Sequence, residues 1–108
     1  MGKGNVVMKN QEVILGIIVN SGNARSNSMK AIKLAKNGQI EEAKCALHDA
    51  VECLSEAHKV QTSLIKDEAN GSAIELSLLM IHAQDHLMNA MTIKDLATEI
   101  VDIHAKLN

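Results

Sequence analysis

The residues best suited to chemistry lie in one short segment, Met80-Ile81-His82-Ala83-Gln84-Asp85-His86-Leu87-Met88. His82 and His86 are one helical turn apart, so a helix through them puts both imidazoles on nearly the same face. Two chemistries suit that spacing. One is a reactive imidazole, which titrates near physiological pH. The other is a His-x-x-x-His pair chelating zinc from one helix face. Packed or solvated imidazoles fit the same spacing without any reaction. Gln84 falls about 200° round the helix from His82, so it reaches that imidazole only from another copy of the chain.

Asp85 is the anomaly of the segment. It interrupts an apolar stripe formed by Ile74, Leu78, Ile81, Met88 and Thr92. An unpaired carboxylate in apolar surroundings is costly, so it must be neutralised, paired or bound to a cation. If the helix lines a symmetry axis, the Asp85 side chains of all copies converge, and a metal ion or shared protons would resolve their repulsion. At the edge of the stripe it would instead reach water or a nearby Lys. His82 lies about 60° from Asp85 round the helix, so it flanks this seam without filling it.

The other chemically capable residues read more blandly. His58 sits on the flank of an apolar stripe, as a partly buried, hydrogen-bonded histidine. His48 and His104 read as solvated. Cys45 and Cys53 stand roughly 12 Å apart along one helix, too far for a disulfide, and read as reduced thiols at core or boundary positions. No Ser-His-Asp arrangement, Gly-rich phosphate loop or paired-Cys metal motif is present in the sequence.

Three helices must position these groups. The first nine residues read as a mobile tail. Asn10 is the expected N-cap of a first helix reaching about Lys36, with Glu12 in its first turn. Val13, Ile14, Ile17, Ile18, Ala24, Ala31 and Ile32 form its stripe. Gly22 marks either a close helix contact or a bend. Asn37-Gly38 stops this helix, since both residues tolerate positive φ. A second helix follows from about Ile40 to Glu68, with Ile40, Ala43, Leu47, Ala50, Leu54, Ala57, Gln61 and Leu64 at alternating spacings of bundle type. Asn70-Gly71 breaks the chain again. Ser72 with Glu75 reads as a capping box opening the third helix, which extends to His104 or beyond. The expected fold is all-α, an antiparallel three-helix bundle in a single domain spanning 1–108.

The third helix carries a second stripe, Leu76, Met80, Ala83, Leu87 and Ala90, with Leu79, Met91 and Ile93 in further directions. Its middle is apolar nearly all round, and such a helix is usually buried on every side. A monomeric bundle covers one face only. Self-association around the third helix is the simplest cover. The alternative is a monomer with an exposed Leu/Met patch for another partner.

Composition narrows the function classes. The 108 residues are 46% apolar and 22% charged, with no aromatic residue and no proline. That composition folds, and a chain without proline forms long helices freely. A net charge of −2, with 11 scattered basic residues, gives no basic footprint for nucleic acid. Without aromatic rings, base stacking is impossible. No apolar run approaches the ~20 residues of a membrane span. The start MGKGNVVMKNQ lacks the apolar stretch of a signal peptide. A cytoplasmic protein is expected.

The segment HAQDHLM, from His82 to Met88, resembles the active-site motif of the lactose/cellobiose-type enzyme IIA family of bacterial sugar phosphotransferase systems. The resemblance continues in SGNARS, from Ser21 to Ser26, and in EAHKVQTSLI, from Glu56 to Ile65, and spans about Val13 to Leu107. HAQDH is the most specific of the three motifs. Asn23 departs from the pattern, since lactose-type relatives tend to carry Asp there, at a position to which the family assigns no chemistry.

The resemblance implies a phosphocarrier, a phosphotransferase component built as a homotrimer. It implies that His82 takes a phosphoryl group from the phosphocarrier protein HPr. The acceptor would be a cysteine of the cognate enzyme IIB, which serves the membrane sugar transporter. It also implies a divalent metal ion on the trimer axis, with magnesium the expected identity, held by Asp85 from each subunit. His86 would donate a hydrogen bond to the phosphoryl oxygens, and Gln84 would assist from a neighbouring subunit. A neutral imidazole nitrogen is a competent acceptor, and positioning dominates phosphoryl transfer. Ala83 favours a β-linked disaccharide of cellobiose or chitobiose type, since lactose-type relatives read HGQDH. The competing class is a non-catalytic helical module for metal binding or protein interaction.

Overall fold

Helix-forming residues without proline fold, in a computed structural model, into α1 (Gly2–Lys36), α2 (Ile40–Ala69) and α3 (Leu78–Leu107). The structure describes residues 2–72 and 76–107, and their side chains from residue 11 onward. The helices lie side by side in a rod of 59 × 21 × 19 Å.

Both connections work as their glycines require. Gly38 has φ +81° and Gly71 φ +94°, where a side chain would be strained. The Gly38 N–H donates to Ala35 O at 3.0 Å and the Gln39 N–H to Leu34 O at 2.9 Å, which satisfies the last carbonyls of α1. At the end of α2, the Ser72 N–H donates to Asp67 O at 2.9 Å.

Ser72 therefore closes α2 and does not open α3, contrary to the sequence expectation. The N-cap of α3 is Ser77, whose Oγ accepts from the Met80 N–H at 3.1 Å. This serine satisfies an orphan donor at the residue where the buried face begins. Glu75 of the expected capping box, and Ile74 of the expected stripe, lie outside the described residues. Helix α1 also departs from expectation. It continues through residues 2–9, expected as a tail, so Asn10 is inside a helix. No proline interrupts there, and extending a formed helix fixes one residue per hydrogen bond.

Two contiguous clusters make the core. Ile14, Ile17, Ala24, Ala50, Leu54, Ala57, Leu64, Met80, Ala83, Leu87 and Ala90 pack in one. Ala31 and Ala35 meet Ala43, Ala46, Leu47, Ala97 and Val101 in the other. The end of α1 thus meets the start of α2 and the end of α3, which is the antiparallel up-down-up order. Many of these residues are alanine, so the backbones approach closely. Leu87 is fully buried, and Leu87→Ala should cost about 2–5 kcal/mol by lost transfer energy and cavity formation. Packing joins α1 to both other helices more extensively than α2 to α3, leaving an open seam between α2 and α3. Among the described residues, no helix is long and apolar enough to cross a membrane.

Candidate functional site

The buried face of α3 fixes where its polar residues emerge. Met80, Ala83, Leu87 and Ala90 point into the core. His82, one position before Ala83, is consequently exposed, while His86, one position before Leu87, is half-buried. Their rings lie nearly parallel, with centroids 5.8 Å apart and planes 10° apart. The expectation that both share a face therefore holds. Leu78 and Leu79 form an open apolar shelf beside His82.

A third residue completes this corner. Nε2 of His86 lies 3.5 Å from the position a Cβ on Gly22 would take. Gly22 is thus the close helix contact, not the bend, of the two alternatives the sequence allowed. Its neighbour Ser21 is fully buried, and the Ser21 Oγ has no hydrogen-bond partner among the described residues. Ser28, two turns further along the same face, donates to Ala24 O at 2.8 Å. Sequence reasoning missed the buried serines, whose only signal was their helical spacing within the α1 stripe.

Asp85 and Gln84 leave α3 in other directions. Asp85 is exposed in the single chain, and its Oδ2 accepts from Asn89 Nδ2 at 3.4 Å. The stripe around it faces outward, with Leu78 82%, Ile81 51% and Met88 56% exposed. Gln84 is half-buried on the α2 side, where its side-chain carbonyl accepts from the Gln61 amide. Gln61 falls in the Glu56–Ile65 segment, yet its bond to Gln84 was not legible there. Among the described residues, no group of three or more His, Cys, Asp and Glu within one chain is placed to hold a metal ion.

His58 differs from its expected partial burial. It is exposed, at the rim of the α2–α3 seam with Val51, Leu54, Ser55 and Met91. The weak packing between those helices leaves nothing to cover it. His48 is exposed as expected, 3.1 Å from Glu52 Oε1. Both cysteines are free, Cys45 exposed and Cys53 partly buried against the core.

Residues 12–105 match the family described as the PTS system, Lactose/Cellobiose specific IIA subunit. The chain is 54% identical over 97 residues to the lichenan-specific phosphotransferase enzyme IIA component of Bacillus subtilis, covering 90% of this chain and 88% of that one. It superposes on the crystal structure of the cellobiose-specific enzyme IIA of Bacillus anthracis with a TM-score of 0.86 at 51% identity, covering 89% and 88% of the two chains. It also superposes on the chitobiose IIA in solution structures of the IIA–HPr complex from the Escherichia coli N,N'-diacetylchitobiose branch. There the TM-score is 0.77 at 44% identity, covering 89% and 93% of the two chains.

Proposed function

Because the chain belongs to the lactose/cellobiose-specific IIA family of the phosphotransferase system, we propose that it carries a phosphoryl group on His82 from phospho-HPr to enzyme IIB. The supporting observation is the exposed His82 ring set parallel to His86 beside an open apolar shelf. Exposure lets two partners reach the same imidazole in turn. In the first step the N–P bond of phosphohistidine in HPr breaks as an N–P bond to His82 forms. In the second, a cysteine thiolate of enzyme IIB takes the phosphoryl group and the His82 nitrogen recovers its electron pair. The chitobiose IIA in complex with HPr supports HPr as the donor. His86, in its half-buried place beside His82, would donate to phosphoryl oxygens, where hydrogen bonds to charge are strongest.

The outward apolar stripe of α3 supports self-association with α3 at the centre, and the family resemblance sets the number of copies at three. Asp85 would then contribute one carboxylate per chain to a shared site. Three hard oxygen donors suit a divalent cation such as magnesium, which would neutralise their mutual repulsion and so tie the subunits together. Gln84, tied to α2 in its own chain, would act on a neighbouring subunit's His82. Names of relatives acting on lichenan, cellobiose and diacetylchitobiose support a cellobiose- or chitobiose-like β-linked disaccharide as the transported sugar. The chain would work in the cytoplasm and serve the membrane transporter only through enzyme IIB.

Incubation with enzyme I, HPr and labelled phosphoenolpyruvate tests the reading. Label should appear on the chain and leave on addition of cognate enzyme IIB. A chain that stays unlabelled is the interaction module instead.

A further inference from the structure

We propose that Gly22 is a positioning residue for this phosphoryl transfer, providing the seat on α1 that holds His86 parallel to His82. The inference rests on the phosphocarrier reading above.

Three observations carry it. Ala83 and Leu87 are fully buried, so the distance and rotation of α3 against α1 are fixed at this level. His86 then emerges at the edge facing α1, and its Nε2 lies 3.5 Å from the site of a Gly22 Cβ. Its ring runs within 10° of parallel to His82 at 5.8 Å. The space left open by the missing side chain at Gly22 thus faces the Nε2 edge of the His86 ring, while the flat face of that ring is presented towards His82. A methyl at Gly22 would touch the ring in ordinary van der Waals contact. A longer side chain directed at α3 would displace the imidazole, which is half-buried at the surface and can swing aside.

The consequence for transfer is geometric. A loose phosphoryl transition state depends on donors held in place, and a misplacement of about 1 Å can cost roughly a hundredfold in rate. Gly22 never touches the phosphoryl group. It acts only through His86.

The test follows single-turnover transfer from phospho-HPr for the parent, Gly22→Ala, Gly22→Leu, His86→Ala and the Gly22→Leu/His86→Ala double variant. Loss of rate should deepen with side-chain size, slight for Ala and about tenfold or more for Leu. It should appear in the maximal rate and leave the HPr concentration dependence unchanged. In the double variant, Gly22→Leu should add nothing to the loss from His86→Ala, because the residue through which it acts is gone. Multiplicative losses, or a Gly22→Leu variant that transfers at the parent rate, overturn the proposal. A measurement on the parent guards against a variant that does not fold. Nuclear Overhauser contacts should join the Gly22 Hα protons to the His86 ring, and their absence also overturns it. If the parent takes no label while these contacts are present, the phosphocarrier reading itself has failed and this inference falls with it. If the parent is labelled and only the variants disagree, Gly22 alone is misassigned.

Discussion

The side-chain amide of Gln61 on α2 donates to the side-chain carbonyl of Gln84 on α3. This bond bridges the two helices that pack least against each other, and it turns Gln84 away from the His82 of its own chain. Gln61→Leu leaves a half-buried carbonyl without its donor, at a cost of about 1–2 kcal/mol. Urea melts of Gln61→Leu, Gln84→Leu and the double variant should give a coupling of about 1 kcal/mol. A coupling of zero means that water serves both amides equally well.

His82 is exposed and touches little of the core, so His82→Gln should change stability by no more than about 0.5 kcal/mol while abolishing phosphoryl uptake. His86→Gln should keep uptake and slow it, by about tenfold to a hundredfold if a charge-assisted hydrogen bond is lost. Acid-quenched labelling with peptide mapping reads both. Retained label on His82→Gln together with its loss on His86→Gln would reverse the assignment.

Ser21 lies on the buried face of α1. Its Oγ is buried and has no partner among the described residues, and an unsatisfied buried hydroxyl costs about 1–3 kcal/mol. Ser21→Ala removes the hydroxyl and nearly keeps the volume. Its chemical denaturation midpoint should rise, or at worst hold. A fall of more than about 1 kcal/mol would show that the hydroxyl makes a bond in the assembled protein.

The ends of the helices were legible where local chemistry dictates them and illegible where two residues compete. Asn37-Gly38 and Asn70-Gly71 end α1 and α2 because a glycine must take positive φ there. Ala43, Leu47, Ala50, Leu54, Ala57 and Leu64 of the α2 stripe are buried as their spacing demanded, while Gln61 is half-buried. The sequence pattern singled out Ser72, while the structure uses the same hydroxyl chemistry at Ser77. The choice fell to Ser77, which stands three residues before Met80, where the buried stripe begins, a tertiary requirement invisible to local pattern. The shared face of His82 and His86 follows from helical geometry. The approach of His86 to Gly22 and the bond between Gln61 and Gln84 join residues 64 and 23 positions apart in the chain, so no local spacing encodes either.

The α3 stripe leaves Leu78, Ile81, Met88, Leu96 and Ile103 exposed in the single chain. A row of outward apolar side chains, interrupted here by Asp85 and Thr92, calls for a partner to cover it. With the trimer that the family resemblance implies, sedimentation equilibrium should give three times the chain mass of 11.6 kDa. Replacing Ile81 and Met88 together by Lys should lower the mass towards that of the single chain, because it places charge on the surface to be buried. A parent that sediments as a monomer at micromolar concentration removes both the trimer and the axial account of Asp85.

Asp85 gives the sharpest test of that assembly. In a single chain it is exposed and shares a long contact with Asn89, so nothing there makes its charge costly. In a trimer around α3, its carboxylate stands among Leu78, Ile81 and Met88 from each chain, and three like charges repel. A divalent cation would offset that repulsion, so chelation should weaken the parent trimer and lower its melting temperature. Asp85→Leu removes the repulsion and the cation site together, and replacing buried charge by a well-packed apolar group is often neutral or stabilising by about 1–4 kcal/mol. The variant trimer should therefore melt at or above the parent and ignore chelator. Melts of both proteins with and without chelator decide the matter. A parent indifferent to chelator shows that the cation is structurally unimportant. A variant that dissociates shows that Asp85 makes a specific pairing across the interface, one that leucine cannot replace.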